Sequence, residues 1–229
     1  MNKIMMKKIF YLGAALATML SCSAQPVMDL DDWSWECNSD LTEVTCENDT
    51  LDIVSPDGNT VWYKEKLTGN YKISYRITVV DEGGEYDRLS DMNCFWGATD
   101  PQYPDDLFAR SEWRNGEFKH YNTLNLFYCG FGGNDNGTTR FRKYHGEFYG
   151  IDNEKIKPVL KEYTEAPNLL EKDHWYTVEI VVKDQETSFT IDGRTIFTSP
   201  IEKGECDGHF GLRFWINHVR CTGFEVEEI

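Results

Sequence analysis

Apolar and polar residues alternate with a period of two along much of the chain. In Tyr71-Lys72-Ile73-Ser74-Tyr75-Arg76-Ile77-Thr78-Val79 the odd-numbered side chains are apolar, as a half-buried strand requires. Residues 176–182 follow the same pattern in part. Residues 188–191 and 194–197 flank Asp192-Gly193, a pair suited to the positive φ of a tight hairpin turn. Residues 210–216 and 222–226 predict two closing strands, and 93–97 and 124–129 two central ones. No long segment repeats its apolar positions every three to four residues, and one helical turn at 167–170 is the most helix expected. Many short strands separated by turn residues predict an all-β fold, a two-sheet antiparallel jelly-roll sandwich.

The N-terminus departs from this pattern. Lys3, Lys7 and Lys8 precede an apolar run from Ile9 to Leu20, and Ser21-Cys22-Ser23-Ala24 follows. A cationic start, a short apolar stretch and small residues are the marks of a signal peptide, expected over 1–24, with one domain over 25–229. Met19-Leu20-Ser21-Cys22 forms a loose lipobox, so the expectation is an exported lipoprotein in the periplasm or at the outer membrane of a Gram-negative bacterium. The only membrane contact expected is that N-terminal lipid. The formal net charge of −16 argues against nucleic acid and against an anionic membrane surface. Beyond Cys22, six cysteines remain, an even number compatible with disulfides in an oxidising compartment. Cys37 with Cys46 and Cys206 with Cys221 are the candidate pairs; Cys94 and Cys129 sit in apolar strands and read as buried free thiols.

Several blocks carry a resemblance. His174-Trp175-Tyr176-Thr177-Val178, Ile191-Asp192-Gly193, Gly208-His209-Phe210-Gly211-Leu212-Arg213, Asn217-His218 and Phe224-Glu225-Val226 resemble the concanavalin A-like jelly rolls of legume-type lectins, many polysaccharide lyases and some glycosidases. Asp91-Met92-Asn93-Cys94-Phe95-Trp96-Gly97, Tyr121-Asn122-Thr123-Leu124 and Thr138-Thr139-Arg140-Phe141-Arg142 are similar to a poorly characterised bacterial family of exported jelly rolls. Such proteins often accompany polysaccharide degradation. Arg110-Ser111-Glu112-Trp113-Arg114 resembles a strand motif that lines the uronate groove of alginate-lyase-type jelly rolls; the two partner motifs of those lyases are absent. The resemblance implies a carbohydrate ligand and transfers no catalytic residue.

The residues themselves suggest where such a ligand would sit. Arg140 and Arg142 share one strand face, with Tyr144 beyond them; Arg213, Trp215 and Asn217 share another, with His218 at its end. Unpaired guanidinium groups do not belong in a dry core, so these arginines either pair with carboxylates or face a wet groove. In a groove they would clamp a carboxylate or sulfate, Trp96 or Trp215 would stack on a sugar ring, and Asn93, Asn122 or Asn217 would orient hydroxyls. For β-elimination of a uronate, His145 or His120 would serve as base and Tyr144 or Tyr121 as acid, with Arg140 and Arg142 neutralising the sugar carboxylate. Three readings stay open: an enzyme acting on an acidic polysaccharide or its oligosaccharides, with lyase chemistry as one route; a non-catalytic carbohydrate-binding module; and a jelly-roll glycoside hydrolase, although the usual Glu-x-Asp-x-x-Glu strand is absent. No cofactor is expected. Asp100, Asp105 and Asp106 share a loop of the kind that holds structural calcium, without a spacing that identifies a site.

Overall fold

The computed structural model describes residues 28–229; the expected leader and Cys22 lie outside the described residues. Twelve strands are described: β1 (Trp33–Cys37), β2 (Glu43–Glu47), β3 (Thr50–Tyr63), β4 (Tyr71–Val79), β5 (Met92–Thr99), β6 (Asn125–Gly132), β7 (Thr138–Tyr144), β8 (Val159–Tyr163), β9 (Tyr176–Lys183), β10 (Glu186–Ile191), β11 (Arg194–Pro200) and β12 (His209–Glu228). Every pairing between them is antiparallel. The order is β11-β10-β9-β4-β12-β5-β6-β7-β8, and β3 runs along the other edge of β12 and carries β1 and β2.

Two long strands turn this path into a sandwich. The first half of β12 pairs with β5, Arg213 opposite Asn93, and its second half pairs with β4, Val219 opposite Val79. Its pairing with β3 slips between Trp215 and Asn217, where Ile216 takes a φ of 46°. A β-branched residue in that region marks a sharp local bend, and strands that change sheets do so at such breaks. The front layer is therefore β1, the end of β3, the start of β12, and β5 to β8. The back layer is β2, the start of β3, the end of β12, and β4, β9, β10 and β11. Cys94, Trp96, Phe127 and Phe141 from the front meet Ile180, Phe189 and Phe197 from the back in one apolar core. The rings of Phe141 and Phe197 stack at 4.4 Å. The sandwich expected from the alternation is present.

A second, smaller apolar cluster lies on the outer, concave face of the front layer. Trp62, Phe95, Leu126, Tyr128 and Tyr144 rise from the strands, and Leu107, Tyr121 and Leu124 cover them. The cover is an insertion between β5 and β6, built from short helical segments at Leu107–Arg110, Ser111–Arg114 and Phe118–Thr123. The Arg-Ser-Glu-Trp-Arg block is therefore helical, not a groove strand. Its Arg114 is buried against Glu36 of β1, and Arg110 pairs with Asp100. The turn expected at 167–170 is an irregular loop, not helix.

All six described cysteines are free thiols, so neither candidate disulfide is present. Cys37 lies on β1 and Cys46 on β2, strands that pair with different ends of β3 rather than with each other. Cys94 and Cys129 are buried, directly opposite each other across β5 and β6.

His209 begins β12 with its ring packed edge-on to Phe108, 5.0 Å between centroids. Burial pushes this imidazole below its ordinary value of 6.5, outweighing the backbone carbonyl of Tyr63 at its Nδ1. The unfolded chain therefore takes up the proton first. The stability that His209 contributes is full above about pH 6.5 and declines as pH falls toward the lower folded-state value. Denaturation midpoints measured from pH 7.5 to 5 should fall, and His209→Gln should flatten part of that slope. An unchanged slope in the variant would rule His209 out as the source.

Candidate functional site

Successive residues of a strand point to opposite faces, so the concave face can be read from the register. Arg213 of β12 lies opposite Asn93 of β5, Asn93 opposite Gly130 of β6, and Gly130 opposite Arg140 of β7. The adjacent row is Gly211, Phe95, Tyr128 and Arg142. Gly130 is required there: a Cβ at that position would lie 2.5 Å from the Tyr128 hydroxyl, so the missing side chain makes room for the tyrosine to fold across the sheet. Two depressions open on this face. One is lined by Asn38, Asp57, Gly58, Glu117, Arg213 and Trp215. The other is lined by Asp91, Tyr128, Arg140, Arg142, Tyr144 and Lys157. Phe118 of the insertion lines both.

The electrostatics of this face are unusual for so acidic a chain. Arg213 is only 3% exposed, and its Nη1 is buried without a hydrogen-bond partner. Its guanidinium carbon lies 5.4 Å from the ring centres of both Phe118 and Tyr121. Arg142 donates to the Lys157 carbonyl. Burial, and then the neighbouring Arg142, lower the Lys157 ammonium below its ordinary value. Among the described residues no carboxylate forms an ion pair with Arg213, Arg142 or Lys157. The carboxylates nearby are otherwise engaged. Asp57 accepts from the Gly58 amide, the Trp215 indole and Asn38; Asp91 accepts from Arg88, Ser90 and Asn93.

Other polar groups here also lack partners. The Tyr144 hydroxyl, the Asn93 Oδ1, the Thr60 hydroxyl and the Trp62 indole nitrogen are buried without a hydrogen bond. Burial raises the Tyr144 phenol well above its ordinary value although Arg142 and Arg213 pull the other way, so it is a proton donor at neutral pH. Buried polar groups left unpaired cost about 1–3 kcal/mol each. This side of the front layer therefore holds several unmet polar groups close to a guanidinium that pairs with no carboxylate.

Some of the candidate residues named from the sequence meet on this face. Arg213, Asn93, Arg142 and Tyr144 do so, and Trp215 stands at the rim, 49% exposed. Arg140 lines the groove too, but its guanidinium is paired with Glu162 of β8. The rest lie elsewhere. Trp96 faces the core, stacked on Phe127 with its indole donating to Thr187. Asn217 is buried past the β12 bend and donates to the carbonyls of Ser90 and Asp91. His218 sits between Asp52 and Asp87. Tyr121 belongs to the insertion and is buried against the sheet, donating to Glu36. His120 stacks on Trp113 at 4.1 Å on the outer side of the insertion. His145 opens onto a separate depression with Lys143, Glu147 and Glu205. Neither histidine named as a base lines the two depressions.

Asp100 is committed to Arg110, and Asp106 caps the Phe108 amide. Among the described residues no group of three or more His, Cys, Asp or Glu side chains is arranged to hold a metal ion.

Sequence reasoning passed over Phe118, Tyr128, Lys157 and Arg88. Tyr128 was within reach, because it alternates with Phe127 and Cys129. Arg88 ties the rim together: it donates to the carbonyls of Trp215 and Ile216, pairs with Asp91 and Asp135, and lies 5.1 Å from the Trp215 ring centre. Asp91, Ile216 and Asp135, the residues it joins, all have positive φ.

The fold is similar to that of a Bacillus subtilis protein of unknown function with a galectin-like fold, at 15% identity and a TM-score of 0.65 over 87% of this chain and 90% of that one. It is also similar to the carbohydrate binding module CBM66 from Bacillus subtilis, at 12% identity and 0.55 over 89% and 100%. An endo-β-1,3-glucanase from Pyrococcus furiosus matches at 10% identity and 0.53 over 87% and 89%. At such identities the likeness is one of fold. No curated protein matches the sequence. Residues 53–224, most of the sandwich, match the model of the family described as a domain of unknown function, DUF6250, and the chain belongs to that family.

Proposed function

We propose that the protein is an exported carbohydrate-binding protein that takes acidic saccharides along the concave face of its front layer. The observation that carries this is Arg213, a buried guanidinium with an unpartnered nitrogen and no carboxylate, beside the half-buried Arg142 and Lys157, which form no ion pair with a carboxylate either. Trp215 at the rim offers an apolar surface to a sugar ring, and Asn93 and Tyr144 hold free polar atoms for hydroxyls. The fold neighbours, a carbohydrate binding module and a glucanase among them, support a saccharide as the ligand class. Arg213→Met tests this. Uronate oligosaccharides titrated calorimetrically should bind the variant at least tenfold more weakly, because a charge-assisted contact in a desolvated site is lost. Unchanged affinity would sink the proposal.

β-Elimination of a uronate is the second reading, favoured by the protonated, unpartnered Tyr144 between two arginines. Tyr144 would protonate the leaving oxygen and Arg213 would neutralise the sugar carboxylate. With His120 and His145 elsewhere, the groove lacks the expected base for the C5 proton, so binding stands first. Absorbance of an unsaturated product in the ultraviolet would reverse that order.

A further inference from the structure

The two depressions of the concave face meet at Phe118, and each has its own cation. The Phe118 ring centre lies 5.4 Å from the Arg213 guanidinium carbon and 5.1 Å from the Lys157 ammonium. The same ring packs 5.9 Å from that of Tyr128. Arg213 opens toward Gly58 and Trp215, and Lys157 toward Arg142 and Tyr144. We propose that Phe118 divides the groove into two anion-binding subsites, so that the ligand is an oligosaccharide with an anionic group on at least two of its sugars. This rests on the assignment of the groove to acidic saccharides and specifies the ligand further.

Three observations carry it. First, the register separates the strands that carry the two arginines. From Arg213 the row crosses Asn93 and Gly130 before reaching β7, and Arg142 lies two residues further along that strand. At about 4.8 Å per strand, the two backbones are about 14 Å apart across the sheet before the offset along the strand is added. Second, Phe118 borders both depressions, and a different cation approaches its ring from each of them, Arg213 in one and Lys157 in the other. Third, Phe118 is anchored. It starts the last helical segment of the insertion, two residues after Gly116, and Gly116 touches Gly58 backbone to backbone, leaving no room for a side chain at either position. Gly116 also has a φ of +72°. The divider is thus fixed to the same strand end that borders the Arg213 depression.

Each depression also has its own apolar or aromatic wall. Trp215 stands on the Arg213 side, and Tyr128 and Tyr144 stand on the Lys157 side. Two sugars carrying one charge each would use both walls and both cations; a single acidic sugar would leave half the unpaired charge unmet.

Calorimetry with galacturonate and tetragalacturonate, and with mannuronate and guluronate and their tetramers, tests this at fixed salt and neutral pH. At least one tetramer should bind tenfold or more tightly than its monomer. Arg213→Met and the double variant Arg142→Met/Lys157→Met should each weaken that tetramer about tenfold. Each should also make binding less sensitive to salt, since each removes a screened charge contact. Phe118→Ala, at a half-exposed position that tolerates truncation, should reduce the preference for tetramer over monomer. A monomer binding within threefold of its tetramer would overturn the two-subsite arrangement and leave the acidic-saccharide assignment standing. So would a double variant indistinguishable from wild type while Arg213→Met abolishes binding. Failure of every uronate, monomer and tetramer alike, would overturn both.

Discussion

Replacing Glu36 with alanine should destabilise the folded protein by about 3–5 kcal/mol, the usual cost of removing one partner from a buried ion pair. Glu36 accepts from Arg114 at 2.6 and 3.0 Å, from the Ser111 hydroxyl at 2.7 Å and from the Tyr121 phenol at 2.7 Å. Arg114 has no exposed surface, and its other contacts are the Leu107 carbonyl and, at 3.6 Å, Asp100. Without Glu36, three donors lose their acceptor in a place water does not reach. Against a typical total stability of about 5–15 kcal/mol the loss is large. Urea denaturation measures it; a loss below about 1 kcal/mol would show that the pair is dispensable. Glu36→Gln should recover part of the stability by keeping an acceptor. Because this pair fastens the insertion that carries Phe118 onto β1, Glu36→Gln should also blur the tetramer-over-monomer preference before the fold fails.

The second large effect separates two tryptophans that were equal candidates in the sequence. Trp96→Ala should cost about 3–5 kcal/mol, the range for emptying a buried aromatic site. Trp96 has no exposed surface, stacks on Phe127 at 5.4 Å, approaches Phe189 and Phe197 from the other layer, and donates to Thr187. Its removal leaves a cavity at the centre of the sandwich and strands the buried Thr187 hydroxyl. Trp215→Ala should change stability by about 0.5 kcal/mol or less, as exposed substitutions usually do, while weakening saccharide binding. Thermal denaturation and calorimetry on both variants give the comparison. If Trp96→Ala folded as well as wild type, or Trp215→Ala bound as well, the assignment of core and groove faces would be wrong.

That contrast shows what was legible in the residue pattern. Alternation identified most of the strands, and applied to residues 93–96 it puts Cys94 and Trp96 on the opposite face from Asn93 and Phe95, which is where they lie. It cannot say which of two aromatic faces meets the core, because the concave face carries its own apolar cluster. β3 was missed because Ser55-Pro56-Asp57-Gly58 reads as a turn; the chain instead passes there from one layer to the other within a single strand. Asn217 was expected beside Trp215, but the bend at Ile216 breaks the alternation and buries it. The site was only half legible for a related reason. Arg213 and Arg142 stand on strands, where period two applies. Phe118 and Lys157 come from connecting segments without periodicity, and the partner that engages Arg140, Glu162, is supplied by another strand.

β12 has one more consequence, for how the molecule comes together. It is the seam between the layers, hydrogen-bonded to β3, β4 and β5, and it is the last of the described strands. β3 lies near the start of the described residues, so the two strands meet only after a loop of most of the domain has been closed, which makes nucleation through them costly and assembly slow. Until β12 docks, β3, β4 and β5 each present an unpaired edge to any other strand they encounter, the state in which nascent β proteins aggregate. Losing β12 would therefore do more than fray an edge: it would leave β1 to β3, β4 with β9 to β11, and β5 to β8 as three pieces with no hydrogen-bonded strand in common.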